Sequence, residues 1–138
     1  MPYEKDLNLA LMRLREREFL AGRYNPVTRF PDFPVTDRSE APGKRHGSID
    51  EAIEAAADDG TRSILDLSTA SDDDDFCVAR VLSGDELEEC FGDTHPTRAM
   101  IESDFGFLEI IERGKGICVT LYRDGEPDEL LFAGYSFD

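Results

Sequence analysis

Between residues 3 and 23, positions Leu7, Ala10, Leu11 and Leu14, then Glu18 or Phe19, recur at spacings of three and four. Arg13, Arg15, Glu16 and Arg17 fill the other face, so the pattern predicts an amphipathic helix. Glu4 and Asp6 at its start and Arg17 and Arg23 near its end suit the helix dipole, and Gly22 is the expected terminator. The pattern changes over residues 24–47. Pro26, Pro31, Pro34 and Pro42 exclude a helix and a central strand there. Val27, Phe30 and Phe33 recur every third residue, the polyproline II period, which predicts a strap packed across the core.

Ser48, with Glu51 three residues later, predicts a capped helix over 48–59 that Gly60 ends. Apolar positions then predict strands over Thr61–Leu67 and Phe76–Leu82. A short helix follows from Ser83 or Gly84 to Phe91, closed by Gly92. A further helical stretch from Thr94 or Pro96 to Glu112 is broken at Gly106. Ile117–Tyr122 and Glu129–Phe137 are the arms of a C-terminal hairpin joined by the turn 123–128. That loop exceeds two residues, so no type I′ turn is expected. Strands do not alternate regularly with crossover helices. The expected fold is therefore α+β, a single domain over 1–138 with a mainly antiparallel sheet, the N-terminal helix and two or three shorter helices.

Charge adds what periodicity does not show. The 138 residues carry 15 Lys and Arg against 31 Asp and Glu, a net charge of −16. Over 1–47, nine basic residues against seven acids leave +2; over 48–138, six against 24 leave −18. Such a field repels phosphates, so neither nucleic acid nor an anionic membrane is an expected partner. No apolar run approaches the roughly 18 residues of a membrane span. The charged start Tyr3-Glu4-Lys5-Asp6 lacks the apolar core of a signal peptide, which makes a cytoplasmic location the expectation.

Candidate chemistry is sparse. Cys77, Cys90 and Cys118 are odd in number and match no zinc spacing. Cys77 and Cys118 sit in apolar runs and read as small buried hydrophobes, while Glu88 and Glu89 would raise the thiol pKa of Cys90. The run Asp72, Asp73, Asp74, Asp75 lacks the glycine and distant glutamate of a calcium loop and reads as solvated. His46 lies in a basic loop. His95, beside Asp93 and Thr94, reads as a loop or capping residue, with a catalytic pairing to Cys90 or Asp93 as the sharper alternative. Phosphate-loop and nucleophile-elbow motifs are absent, and no cofactor or metal is expected.

What remains is collective. Asp72–Asp75 and the acids Asp85, Glu86, Glu88 and Glu89 bracket one predicted strand and could form one negative face. The leading expectation is a non-enzymatic protein that caps a basic protein partner, most concretely an immunity or inhibitor protein for a toxin nuclease or deaminase. Phe91 or Phe76 would be its apolar anchor. Two alternatives stand beside it. One is a small enzyme using His95 with nearby carboxylates. The other is a regulatory module, monomeric or weakly dimeric, that self-associates through Leu130, Leu131, Phe132, Tyr135 and Phe137 of the hairpin.

Overall fold

A computed structural model describes residues 1–27 and 46–136. The elements, in order, are α1 (Leu7–Ala21), α2 (Ile49–Ala56), β1 (Thr69–Ser71), β2 (Val78–Val81), α3 (Gly84–Phe91), α4 (Arg98–Ser103), β3 (Gly116–Arg123) and β4 (Glu126–Gly134). Short 3-10 turns occupy Ala57–Asp59, Ile64–Asp66 and Gly106–Ile110. The expected α+β class and C-terminal hairpin are present. The Pro-rich segment is described only to Val27 and again from His46, so the expectation for Phe30 and Phe33 lies outside the described residues, as does Phe137.

Helix α1 starts later than its periodicity suggests. The Asp6 carboxylate accepts the Leu9 N–H at 3.1 Å, and residues before it are extended. Met1 exchanges two backbone hydrogen bonds with Leu130, and the Tyr3 N–H donates to the Asp128 carbonyl. The chain start is thus a short antiparallel addition to the outer edge of β4, bridging at Pro2 and Glu129. Gly22 ends α1 at φ 70°, a left-handed conformation that costs an L side chain energy.

The sheet order is β1-β2-β3-β4. The hairpin β3–β4 is antiparallel over eight register pairs, and β1–β2 and β2–β3 are parallel over three each. The hairpin thus supplies most of the ladder, as expected, and the two parallel pairings are the departure. The β2–β3 pairing follows from the crossover through α3 and α4. The β1–β2 pairing arises because the chain from 72 to 77 runs back beside β1, and six residues can span up to about 20 Å. Cys77, at φ 62°, turns it into β2. There its N–H donates to the Gly114 carbonyl, and its carbonyl accepts the Ser68 N–H.

Alternation divides the core between the two sheet faces. On one face, α1 packs Ala10 and Leu11 on Leu67, Ala70, Ala79, Cys118 and Leu130. Burial of Leu11, 1% exposed, contributes about 1.5–3 kcal/mol. On the other, Leu82, Ile101, Phe107 and Ile111 cover Ile117, Val119 and Leu121, with Leu87 and Phe91 of α3 packed against them. A third cluster joins Tyr24, Val27, Ala52 and Leu65. The Tyr24 hydroxyl meets both the His46 backbone N–H and its ring Nδ1, at 3.2 and 3.1 Å, so the two described ends of the Pro-rich segment converge.

Three local expectations are corrected. Thr61–Leu67 is not a strand. The Thr61 N–H and hydroxyl both donate to Asp66 Oδ1, and the Leu65 N–H donates to Ser63 Oγ. Short polar side chains there capture the backbone and wind Ile64–Asp66 into a 3-10 turn, so the strand forms only at Thr69. The hairpin loop is only Asp124-Gly125, both at positive φ (52° and 79°), as a type I′ turn requires. Pro127 sits inside β4, where it is tolerated because β4 is an edge strand, and a register shift at Leu121/Tyr122 absorbs the extra residue. Finally, Cys77 is a half-buried turn residue; only Cys118 is a buried core thiol.

Candidate functional site

The four aspartates 72–75 form the exposed return between β1 and β2. Local hydrogen bonds shape it: the Asp73 N–H donates to Ser71 Oγ, and the Phe76 N–H to Asp75 Oδ1 at 2.7 Å. Beyond β2, Ser83 caps α3 and Glu86 reciprocates in a full capping box, which fixes where the helical acids point. Asp85, Glu88 and Glu89 are exposed.

One residue links the two groups of acids. Arg80 of β2 faces the α3 side of the sheet, and its single Nη1 donates to both oxygens of Glu86, 2.5 Å from Oε1 and 2.6 Å from Oε2. Its guanidinium also lies within the electrostatic reach of Asp74. On the far side of the loop, Lys115 Nζ binds Asp74 at 3.1 Å and Glu112 at 3.2 Å, and stands 5.5 Å over the ring of Phe76. Arg80 thus stands between Glu86 of α3 and the field of Asp74 in the loop, while the Phe76 ring beside Lys115 is 57% exposed.

The acids therefore sort into two kinds. Asp74 and Glu86 pair with the half-buried cations Lys115 and Arg80. Asp72, Asp73, Asp75, Asp85, Glu88 and Glu89 are exposed and give the surface its field. Phe91 does not belong with them. It is half-buried, its ring 5.5 Å from Phe107, and it fastens α3 to the core. The exposed ring on this surface is that of Phe76. Sequence reading missed Arg80 and Lys115 as internal counterions. A signal for Arg80 was present: it is the single basic residue between Arg62 and Arg98, a stretch with ten acids.

The Arg80 hydrogen bond holds the Glu86 carboxyl below its ordinary value of 4.5, and the same bond raises Arg80. A carboxylate whose folded pKa is depressed stabilises the fold above its unfolded pKa, and that stabilisation is lost as pH falls through the folded value. Glu86→Gln keeps the capping geometry and removes the charge. The wild type should exceed this variant in unfolding free energy by up to about 1 kcal/mol at neutral pH, because the pair is partly solvated. The gap should close as pH drops below 4.5; parallel denaturant titrations from neutral to acid pH measure it.

The other candidates fall outside this surface. His95 is exposed. Its ring meets Thr94 Oγ1 at 3.0 Å and the edge of Tyr122, while Asp93 accepts the His95 backbone N–H rather than a ring proton. All three thiols are raised, Cys90 by burial and then Glu89, and Cys118 by burial to about 12, so each is protonated at neutral pH. In the hairpin, Leu130 is core, Leu131 and Phe132 are half-buried and Tyr135 is exposed. Among the described residues no three His, Cys, Asp or Glu side chains converge as a metal site, and no helix is long and apolar enough to cross a membrane.

Comparison with known proteins gives no match to any family model, curated protein or solved structure.

Proposed function

We propose that this protein binds a basic protein partner through the acidic surface around Arg80. The observation that carries the reading is that two groups of exposed acids, Asp72, Asp73 and Asp75 on the loop before β2 and Asp85, Glu88 and Glu89 on the helix after it, flank one strand whose Arg80 holds Glu86. A scatter of acids for solubility requires no such arrangement. Rim carboxylates steer encounter and exclude phosphate-bearing competitors, and an exposed aromatic on the rim supplies contact area that surface charge alone does not. In its most concrete form the partner is a basic enzyme, such as a toxin nuclease or deaminase, whose cationic substrate groove the surface covers.

A comparative capture from host extract tests it. The wild-type chain and a variant reversed at Asp72, Asp73, Asp75, Glu88 and Glu89 are immobilised at equal density. Asp74 and Glu86 stay intact, so the variant keeps its internal ion pairs. The reading expects a basic protein retained by the wild type, eluted by salt and lost from the variant. The same retained set on both, or an acidic retained protein, would sink it.

A further inference from the structure

The first eight residues touch both edges of the sheet. At β1, the outermost strand on one side, Asn8 Nδ2 donates to the Ala70 carbonyl at 3.1 Å, and the Ala70 N–H donates to Asn8 Oδ1 at 2.9 Å. A carboxamide carries the same donor and acceptor as a peptide group, so Asn8 pairs with β1 as a further strand would. Both backbone groups of Ala70 turn away from β2, and alternation turns those of Thr69 and Ser71 toward it. Asn8 thus occupies the one outward backbone pair that the three residues of β1 present. At the opposite edge, Met1 and Tyr3 pair with β4 at Leu130 and Asp128.

A continuous set of contacts joins the two ends. Next to Tyr3 stands Glu4, whose Oε1 accepts the Asp6 N–H at 3.2 Å and whose Oε2 binds Arg13 of α1 at 3.3 Å. Asp6 in turn caps α1 through the Leu9 N–H, which fixes the turn that carries Asn8. Met1 and Leu7 pack on the apolar cluster that contains both Ala70 and Leu130. No side chain of residues 1–9 is fully buried. A segment with so little burial opens at a lower free energy than the sheet beneath it.

We infer that residues 1–8 are a single clasp, which closes β1 at Ala70 and β4 at Leu130 and opens as one unit while the sheet stays folded. Unpaired backbone groups on a strand edge are a template for another strand, and covering them is how a folded chain withholds that edge. Closed, the clasp withholds Ala70 and Leu130 together. Open, it offers both at once. Because one element holds the two contacts, a loss at either edge weakens the other, as linkage between two sites on one two-state element requires. The inference stands independently of the acidic surface.

Amide hydrogen exchange on the full ¹⁵N-labelled chain tests it, followed at Ala70 and Leu130 with Val119 of the hairpin as reference. Asn8→Ala, a change at an exposed position, should speed exchange about tenfold at Ala70, which loses its acceptor, and about threefold at Leu130 on the far edge. Tyr3→Pro removes the N–H that donates to Asp128 and should in return speed Ala70 about threefold. Val119 should keep its wild-type rate in both variants. Acceleration confined to the substituted edge would make these two separate contacts and overturn the inference. Equal acceleration at Val119 would make the opening global and overturn it too, as would a wild-type Ala70 amide that exchanges at the rate of an unprotected peptide.

Discussion

Gly116→Ala should destabilise the fold by about 1–3 kcal/mol, the cost typical of forcing atoms into a packed core. A Cβ at this position would stand 2.6 Å from Leu67 Cδ1 and 2.9 Å from the Ala133 carbonyl oxygen. Neither neighbour has room to give. Leu67 is 3% exposed, packed under α1, and the Ala133 carbonyl belongs to the β3–β4 ladder. Gly116 also registers with Ala79 of β2 and Gly134 of β4, so the displacement would spread to both partners of the central strand. For a chain of this size each kcal/mol moves the melting temperature by roughly 3 °C. Gly92→Ala is the control. There φ is 72° but nothing lies within 4 Å of a Cβ, so only backbone strain of about 1 kcal/mol is expected. Thermal melts of the two variants separate the close approach from the conformational effect. A double variant with Leu67→Ala should show a coupling of about 1 kcal/mol, because the shortened side chain relieves the clash.

The five-site reversal described above should slow association with the captured basic protein by about tenfold or more at low salt, within the range by which steering accelerates encounter. The dissociation rate should change much less, since the reversed residues are exposed and such contacts contribute little once the complex has formed. Phe76→Ala should do the opposite. It leaves the charge field intact and raises the dissociation rate, as truncating an aromatic anchor does. Stopped-flow association and chase dissociation measure both. If the five-site variant changes dissociation and Phe76→Ala changes association, the assignment of steering to the aspartates and anchoring to Phe76 is wrong.

The sequence made the capped elements readable. Ser48 and Ser83 each sit where a side-chain oxygen accepts an N–H of the first helical turn, and Gly22 and Gly92 stand at left-handed ends, whereas Asp6 reads as a first-turn acid and is the cap. These are local signals with local causes. The parallel pairings were not readable, because they depend on where the chain returns in space. The 72–77 stretch looked like a plain loop, although it is the crossover that makes β1 and β2 parallel. The turn at Ile64–Asp66 was hidden for a different reason: Thr61, Ser63 and Asp66 compete for the backbone of an apolar run that otherwise has strand character. In the candidate site, the acids were visible as composition. Their division into paired and exposed groups was not, since Arg80 reaches them from β2 and Lys115 from the residue before β3. Phe91 and Phe76 likewise looked equivalent until the packing of α3 on Phe107 separated them.

The most direct test of the acidic-surface reading is the association rate constant of the wild-type chain with its captured basic partner across a salt series. Raising ionic strength from about 0.01 to 1 M shortens the screening length from about 30 to about 3 Å. The proposed mechanism predicts a steep, continuous fall in the association rate over that range, and a much flatter line for the five-site variant. A wild-type rate that stays constant across the series would contradict it.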